Sequence, residues 1–598
     1  MTNSFKKIKK THVIMCLFLV SIVGCKQEKT ASYIKVDNNQ AYVAKIQEYY
    51  SQHLDSCIRL LEEINTLEAV SEKLRKYKSA RREFKLIEPI LAFTDKENYK
   101  SVNAPNLLKV EEEDATDIKI RNPFGFQVIE ELLHEDQVDL VAVKETVCKT
   151  ANRLKLIANN NKLYLKKYHV LWLLRDQIAR IALVGITGFD SPVLEQSLIE
   201  AKTNYETLLF IVNVYKNEFS SLKRYTALVN ELKETQKVLQ EGEFTSFNRF
   251  YFIKNHAHKQ LELLANTVED WKVEFPLTMA FNNNITSLFS KETFNINFFN
   301  DYHQAENAKV KEKIALGKKL FNDTSLSKDG VMSCATCHIK DKAFTDGLVA
   351  FPKQIRNTPT LAYAAYQQSF FHDGRAGSLE GQIVGVVENK NEFHTDLENL
   401  TTSIENDSAY VASFTSLYGK VNDFNIRNAI ADYIRSLGDF SSKFDKNINK
   451  KENTLTTSEI NGFNLFMGKA KCATCHFPPV FNGTVPPNFS ETEVESIGVP
   501  NLEETGLDSD LGVYNVFKTE ERKHFFKTAT VRNISKTAPY MHNGVYKTLQ
   551  QVVDFYNKGG GQGLGYHVSN QTLPADKLNL SENEIQDLIA FMETLTDE

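Results

Sequence analysis

The chain has 598 residues, enough at about 150 residues per domain for three or four domains, which excludes a peptide hormone or a disulfide mini-protein. Hydrophobic residues make up 42% and charged residues 25%, the composition of a globular protein rather than a disordered or fibrous one. Seventy-one basic against 76 acidic side chains leave a net charge of -5, so the charge balance gives no case for nucleic-acid binding. The informative residues are the rare ones, eight Cys and two Trp.

Lys6, Lys7, Lys9 and Lys10 precede an apolar run from Val13 to Val23, which ends at Gly24-Cys25. A cationic flank, a short apolar core and a small residue before a cysteine are the parts of an export signal. Residues 1–25 therefore read as a bacterial lipoprotein signal with Cys25 as the lipidated first residue, the alternative being an anchor helix with an incidental cysteine. No later segment has the apolar length of a membrane span, so lipid is the expected tether and the periplasmic side of the cell envelope the expected location.

From 26 to 295 apolar residues recur at helical spacing, as in Leu60, Leu61, Ile64 and Leu67 or Leu171, Leu174, Ile178 and Ile181. Punctuation such as Gly188-Phe189-Asp190-Ser191-Pro192 separates these runs, and the pattern predicts an antiparallel helical bundle. Cys57 and Cys148 fit either a disulfide or two separate buried thiols. The stretch Gly125-Phe126-Gln127-Val128-Ile129-Glu130 is similar to the Gly-x-His-x-x-Glu segment of imelysin-like bundles, but Gln127 stands in place of histidine. An amide is a poor transition-metal ligand, and Glu130 reads more simply as a solvated or capping residue.

Cys334-Ala335-Thr336-Cys337-His338 and Cys472-Ala473-Thr474-Cys475-His476 are both Cys-x-x-Cys-His. That spacing lets two thiols bond the two vinyl groups of one haem while the adjacent His turns under the ring as iron ligand. Zinc ribbons place their paired cysteines only some 15 to 20 residues apart, and a thioredoxin-like dithiol does not explain a His after both pairs. Leu316-Gly317-Lys318-Lys319-Leu320-Phe321 leads into the first motif and Gly462-Phe463-Asn464-Leu465-Phe466 into the second, each as an amphipathic helix. The fold class expected is thus mainly α: an N-terminal helical bundle followed by two cytochrome c-like domains, 300–450 and 451–598, with two covalently bound haem c groups.

Residues from about 305 to 598 resemble the di-haem bacterial cytochrome c peroxidase family, which includes the methylamine-utilisation branch. The markers, in order, are the first lead-in and haem motif, Arg356-Asn357-Thr358-Pro359, Asp373-Gly374-Arg375-Ala376, the second haem motif, Pro539-Tyr540-Met541-His542-Asn543-Gly544 and Thr548-Leu549. The resemblance implies a peroxidatic haem on Cys334, Cys337 and His338 and an electron-transfer haem on Cys472, Cys475 and His476. It places Gln382 and Glu392 on the family's active-site glutamine and glutamate, with Glu392 the acid/base if its pocket is dry; the bland alternative is a loop carboxylate in water, since Asn389, Lys390 and Asn391 precede it. Arg375 either binds a haem propionate or makes a turn-stabilising salt bridge.

Three departures from the family pattern follow. Residues 339–357 contain no histidine, which implies that the first haem keeps an open distal position at rest. Alignment through Thr548-Leu549 puts Tyr556 where the typical peroxidases supply methionine to the second haem; packing on the core is its alternative role, and Met541 and Met592 are the other candidate ligands. Both tryptophans, Trp172 and Trp271, lie in the helical half, and His372 occupies the usual inter-haem Trp position, either bonding a propionate or filling space. The resemblance further implies a calcium ion on the Asn357 side chain and the Thr537 and Pro539 carbonyls. The expected activity is reduction of hydrogen peroxide with electrons from a small cytochrome or cupredoxin. The variants are an oxidase that modifies a partner protein and a non-enzymatic electron-transfer lipoprotein; a second copy of the chain, as a homodimer, completes the expected partners.

Overall fold

The computed structural model describes residues 38–112, 117–300 and 309–598, so the signal segment with Cys16 and Cys25 lies outside the described residues. Within them the chain is mainly helical, with two small antiparallel sheets: Lys109–Glu111 with Lys119–Arg121, and Val494–Glu495 with Phe526–Lys527. No helix of the described residues is long and apolar enough to cross a membrane.

The N-terminal part is built on long amphipathic helices. In Asn39–Ile64 the buried positions Tyr42, Ile46, Tyr50, Leu54, Cys57 and Leu61 fall three or four apart, so one face closes on Val70–Thr94. Ser197–Val214 packs on both of these and on Leu222–Glu241, while Leu140–Asn159 lies against the first. Asp139 and Ser221 cap their helices by accepting from the first-turn N–H groups. Cys57 is buried and Cys148 exposed, both as free thiols, so neither the disulfide nor the pair of buried thiols forms.

Between these helices lies a charged interior. Lys85 Nζ meets Asp190, Glu88 and Glu200 at 2.6, 3.0 and 3.2 Å, and Arg81 grips Glu200 through Nε at 2.7 Å. Glu130 is fully buried, which corrects the solvated reading: it accepts from Tyr77, Ser191 and the N–H groups of Val193 and Leu194. The residue therefore does cap, but from inside, pinning the 188–196 loop. Gln127 donates to the Asn103 carbonyl at 2.9 Å.

The C-terminal half repeats one device. Helix Val310–Phe321 crosses Asp423–Arg435, and Thr457–Phe466 crosses Glu582–Glu593. A glycine sits at each crossing: a Cβ on Gly317 would lie 1.8 Å from the Ala429 carbonyl oxygen, and one on Gly462 would lie 1.9 Å from that of Asp587. Backbones can touch there only because neither residue has a side chain.

The two repeats differ in their cores. The first has its own apolar cluster, centred on Leu320, Phe321, Phe414, Ile426 and Ala429. The second shares one continuous core with the N-terminal helices. Phe250 lies 6.0 Å from both Phe444 and Phe463, Phe289 lies 5.4 Å from Phe444, and Phe281 lies 5.2 Å from Phe489.

Candidate functional site

At the first Cys-x-x-Cys-His motif a single helical turn, Cys334–Cys337, ends on His338. His338 Nδ1 donates to the Phe344 carbonyl at 2.9 Å, which fixes the tautomer and leaves Nε2 as the free ligating nitrogen. The second motif is built alike: His476 Nδ1 donates to the Ala529 carbonyl at 3.0 Å. All four cysteines are free thiols. Two thiols and one oriented imidazole at each motif are the donor set that a covalently attached haem requires.

A second duplicated feature was not legible from the motifs. Phe370 and Ala376 pair across a tight turn, and so do Tyr540 and Tyr546. His372 and His542 thereby occupy equivalent places, as do Gly374 and Gly544, whose φ values of 70° and 68° lie in the left-handed region. Each turn runs into a capped helix, Leu379–Glu388 behind Ser378 and Leu549–Asn557 behind Thr548. Counted from those caps, the first-repeat equivalent of Tyr556 is Val386.

The repeats meet across a reciprocal seam. Asn357 N–H donates to the His542 carbonyl and Lys527 N–H to the His372 carbonyl, both at 2.7 Å. His372 Nε2 donates to the Asn357 carbonyl at 2.8 Å, and burial pushes this imidazole down to about 3, so it is neutral. Its side chain therefore ties the hairpin to the 356–359 segment within the first repeat, while its own carbonyl takes the bond from Lys527 of the second. Arg356 closes the seam with Nε 2.5 Å from Asp510 and Nη1 2.6 Å from Asp373.

Glu392 lies just beyond helix Leu379–Glu388, half-buried, and accepts from Asn389 at 2.8 Å and Gln354 at 3.1 Å. Burial pushes its carboxyl up to about 7, against the opposing pull of Asn389, Arg375 and Gln354. It is close enough to Cys334 and Cys337 to disfavour their thiolates. Asn389, which suggested a solvated loop, is thus one of the groups that hold the carboxyl. Gln354 went unnoticed, although it falls two positions before the Arg356-Asn357-Thr358-Pro359 marker. Gln382 is half-buried in the first turns of the same helix.

Arg375 turns back on its own hairpin, with Nη1 2.8 Å from both oxygens of Asp373 and its guanidinium 3.5 Å over the Phe371 ring. The salt bridge, one of its two expected roles, is therefore present. In the second repeat, burial pushes the Tyr556 phenol up, and Cys475, Cys472 and Glu495 add to the shift, so the phenol lies within electrostatic reach of the second cysteine pair. Glu495, which no sequence signal marked, is pushed up to about 7 by burial next to Cys475. Met592 is buried in the Glu582–Glu593 helix. Among the described residues no group of three His, Cys, Asp or Glu side chains forms a metal site.

Comparison with known proteins bears on this arrangement directly. The family model described as di-haem cytochrome c peroxidase matches residues 311–453. Cytochrome-c peroxidase IdrP1 of Pseudomonas sp. (strain SCT) is 35% identical over 319 residues, spanning 49% of this chain and 82% of that protein. The chain belongs to the di-haem cytochrome c peroxidase family. Methylamine utilization protein MauG of Methylorubrum extorquens is 31% identical over 307 residues, covering 50% of this chain and 81% of that one. Among solved structures, a MauG-like protein associated with microbial copper homeostasis aligns with a TM-score of 0.43 at 25% identity, over 50% of this chain and 92% of that one. As a member of this family the chain is an oxidoreductase of the cytochrome-c peroxidase type with two c-type haems. The two motifs described above fit that cofactor in number and in donor chemistry.

Proposed function

We propose that the chain reduces hydrogen peroxide to water at the first motif, with electrons from a small cytochrome or cupredoxin entering through the second repeat. The observation that carries this reading is the unlike surroundings of two equivalent motifs. The first has Val386, which cannot ligate, and Glu392 poised near neutrality; the second has Tyr556, an oxygen donor, at the position of Val386.

In this reading 300–450 and 451–598 are cytochrome c-like domains behind a bundle of residues 26–295. Cys334, Cys337 and His338 hold the peroxidatic haem; Cys472, Cys475, His476 and Tyr556 hold the electron-transfer haem. When bound, the haems supply the redox chemistry, taking up and passing single electrons. The net reaction consumes one peroxide, two electrons and two protons and yields two waters. Glu392 takes the proton from one peroxide oxygen and returns it to the other, which leaves as water. A carboxyl near 7 can do both at neutral pH, and Gln354 and Asn389 aim it. Gln382, in the helix that precedes Glu392, orients the peroxide. The seam at Asn357, His372 and Lys527 joins the two repeats without an indole.

Asn357 donates its amide N–H to the Leu348 carbonyl, which leaves Oδ1 for a cation; with the Thr537 and Pro539 carbonyls it would make an all-oxygen donor set suited to calcium. The lipid on Cys25 would hold the enzyme at the periplasmic side of the envelope. Tyr556 beside the second motif favours one further reading, an oxidase that modifies a partner protein, because an anionic oxygen donor stabilises ferric iron. Steady-state peroxide reduction with a reduced monohaem cytochrome separates the two. Turnover lost in Glu392→Gln with both haem spectra intact supports the peroxidase, and no turnover in the unaltered enzyme with any protein donor sinks it.

A further inference from the structure

We propose that the N-terminal helices are a built-in roof over the attachment edge of the second haem, closing that edge to a protein electron donor. This rests on the assignment of that haem to Cys472, Cys475 and His476. Thioether bonds would tie one haem edge to the two sulfurs, so whatever covers the motif covers the edge.

The N-terminal helices reach the chain on both sides of the motif. Before it, Phe250 N–H donates to Asn464 Oδ1 at 3.0 Å, and a Cβ on Gly468 would lie 2.6 Å from the Arg249 guanidinium carbon. After it, the Phe189 ring meets Phe477 at 6.2 Å, and Lys100 pairs with Glu491 at 2.6 Å. Every residue from Phe477 to Thr484 is buried, and Ala473 inside the motif is 1% exposed. At the first motif the chain after His338 is open, with Lys340, Asp341 and Lys342 all exposed.

The roof is fixed rather than hinged. Arg249 is fully buried, and its guanidinium is held by the carbonyls of Ile186, Phe247 and Phe244 at 2.8, 3.2 and 2.9 Å, with no carboxylate among the described residues bonded to it. A buried cation held only by carbonyls tolerates no loosening of its seat, because each lost bond leaves charge uncompensated. Gly468 provides that seat by having no side chain. A donor must therefore meet the second repeat elsewhere on its surface.

The test uses the complete holoenzyme, with a haemochrome spectrum first confirming two haems. Reduced mitochondrial cytochrome c serves as the protein donor and reduced methyl viologen as the small one. Lys469→Gln and Lys471→Gln neutralise the cations next to the motif; at a docking surface such a change slows association about fivefold or more at low salt. Both variants should keep the protein-donor rate within about twofold, since rim charges act only where partners meet. Oxidised cytochrome c should leave amide exchange over 468–484 unchanged. A fivefold fall with an unaltered methyl viologen rate, or new protection over 468–484, overturns the roof. A single haem, with Cys472 and Cys475 unmodified by mass, overturns the site assignment and the proposal that rests on it.

Discussion

The two Cys-x-x-Cys-His repeats share a helix crossing on glycine, an imidazole tied to a carbonyl and a tight turn carrying histidine, yet they sit in opposite surroundings. The first has its own core and an open rim, where Val331 is 69% exposed. The second is folded into the core of the N-terminal helices, with Phe477 and Phe481 buried behind it. One scaffold thus sets one motif beside an exposed rim and the other beside a buried segment, 477–484. The difference comes from what packs on each repeat, since the motifs themselves are nearly identical in sequence.

The most severe way to break the comparison is to remove the thiols. Cys334→Ala with Cys337→Ala should leave one haem by haemochrome assay and abolish peroxide turnover. Cys472→Ala with Cys475→Ala should also leave one haem but block only turnover that depends on a protein donor. Equal loss with a small reductant in both pairs would refute the division of labour. Next in size is Glu392→Gln, which should lower turnover by about 10² to 10⁴, the range for a lost acid/base. Because the carboxyl is raised to about 7 and its ionised form takes the first proton, the rate should climb with pH and level off above neutrality. The glutamine variant should lack that limb.

The crossing glycines sharpen the contrast in cores. Gly317→Ala and Gly462→Ala each drive a methyl group into a backbone carbonyl, a strain of about 1 to 3 kcal/mol or more. Gly317→Ala should loosen amide exchange within the first repeat alone. Gly462→Ala should loosen the second repeat together with the N-terminal helices, because they share one core. A purely local response in both would mean that the shared core does not act as a unit.

The two haem motifs were legible in the sequence because each is a short run with a fixed count of residues, whereas Glu392 and Tyr556 were proposed from the register of the resemblance. The seat of the N-terminal helices was not, since Phe189 and Phe250 look like any bundle aromatics and nothing local says whose core they enter. Gly317 and Gly462 stood in the quoted lead-ins, but their meaning lies in a partner helix more than a hundred positions away. Glu130 was misjudged because a carboxylate on a helix is usually solvated, and only the folded 188–196 loop shows what it binds. Asn389 shows the same limit: an asparagine read as a sign of water holds a carboxyl.

Replacing Tyr556 tests the oxygen donor of the roofed site. Tyr556→Met should raise the second haem potential by something on the order of 0.1 V, well inside the range set by axial ligands, and shift its spectrum while leaving the first haem alone. An unchanged spectrum would return Tyr556 to plain core packing.

The smallest effect concerns the one cation that the first turn has and the second lacks, since Val545 stands where Arg375 does. Arg375 favours the ionised form of Glu392, but it is half-exposed and doubly bonded to Asp373, so its field at Glu392 is partly cancelled. Arg375→Ala should therefore cost no more than about 1 kcal/mol of stability. Removing the cation makes the carboxylate harder to form, so Glu392 should hold its proton to a higher pH and the acid limb of the rate profile should move upward. The plateau above it should stay near the wild-type value, because Gln354 and Asn389 still aim the carboxyl. An acid limb that stays in place would show that Asp373 already cancels the Arg375 field at Glu392, and one that moves downward would show that the limb does not report Glu392.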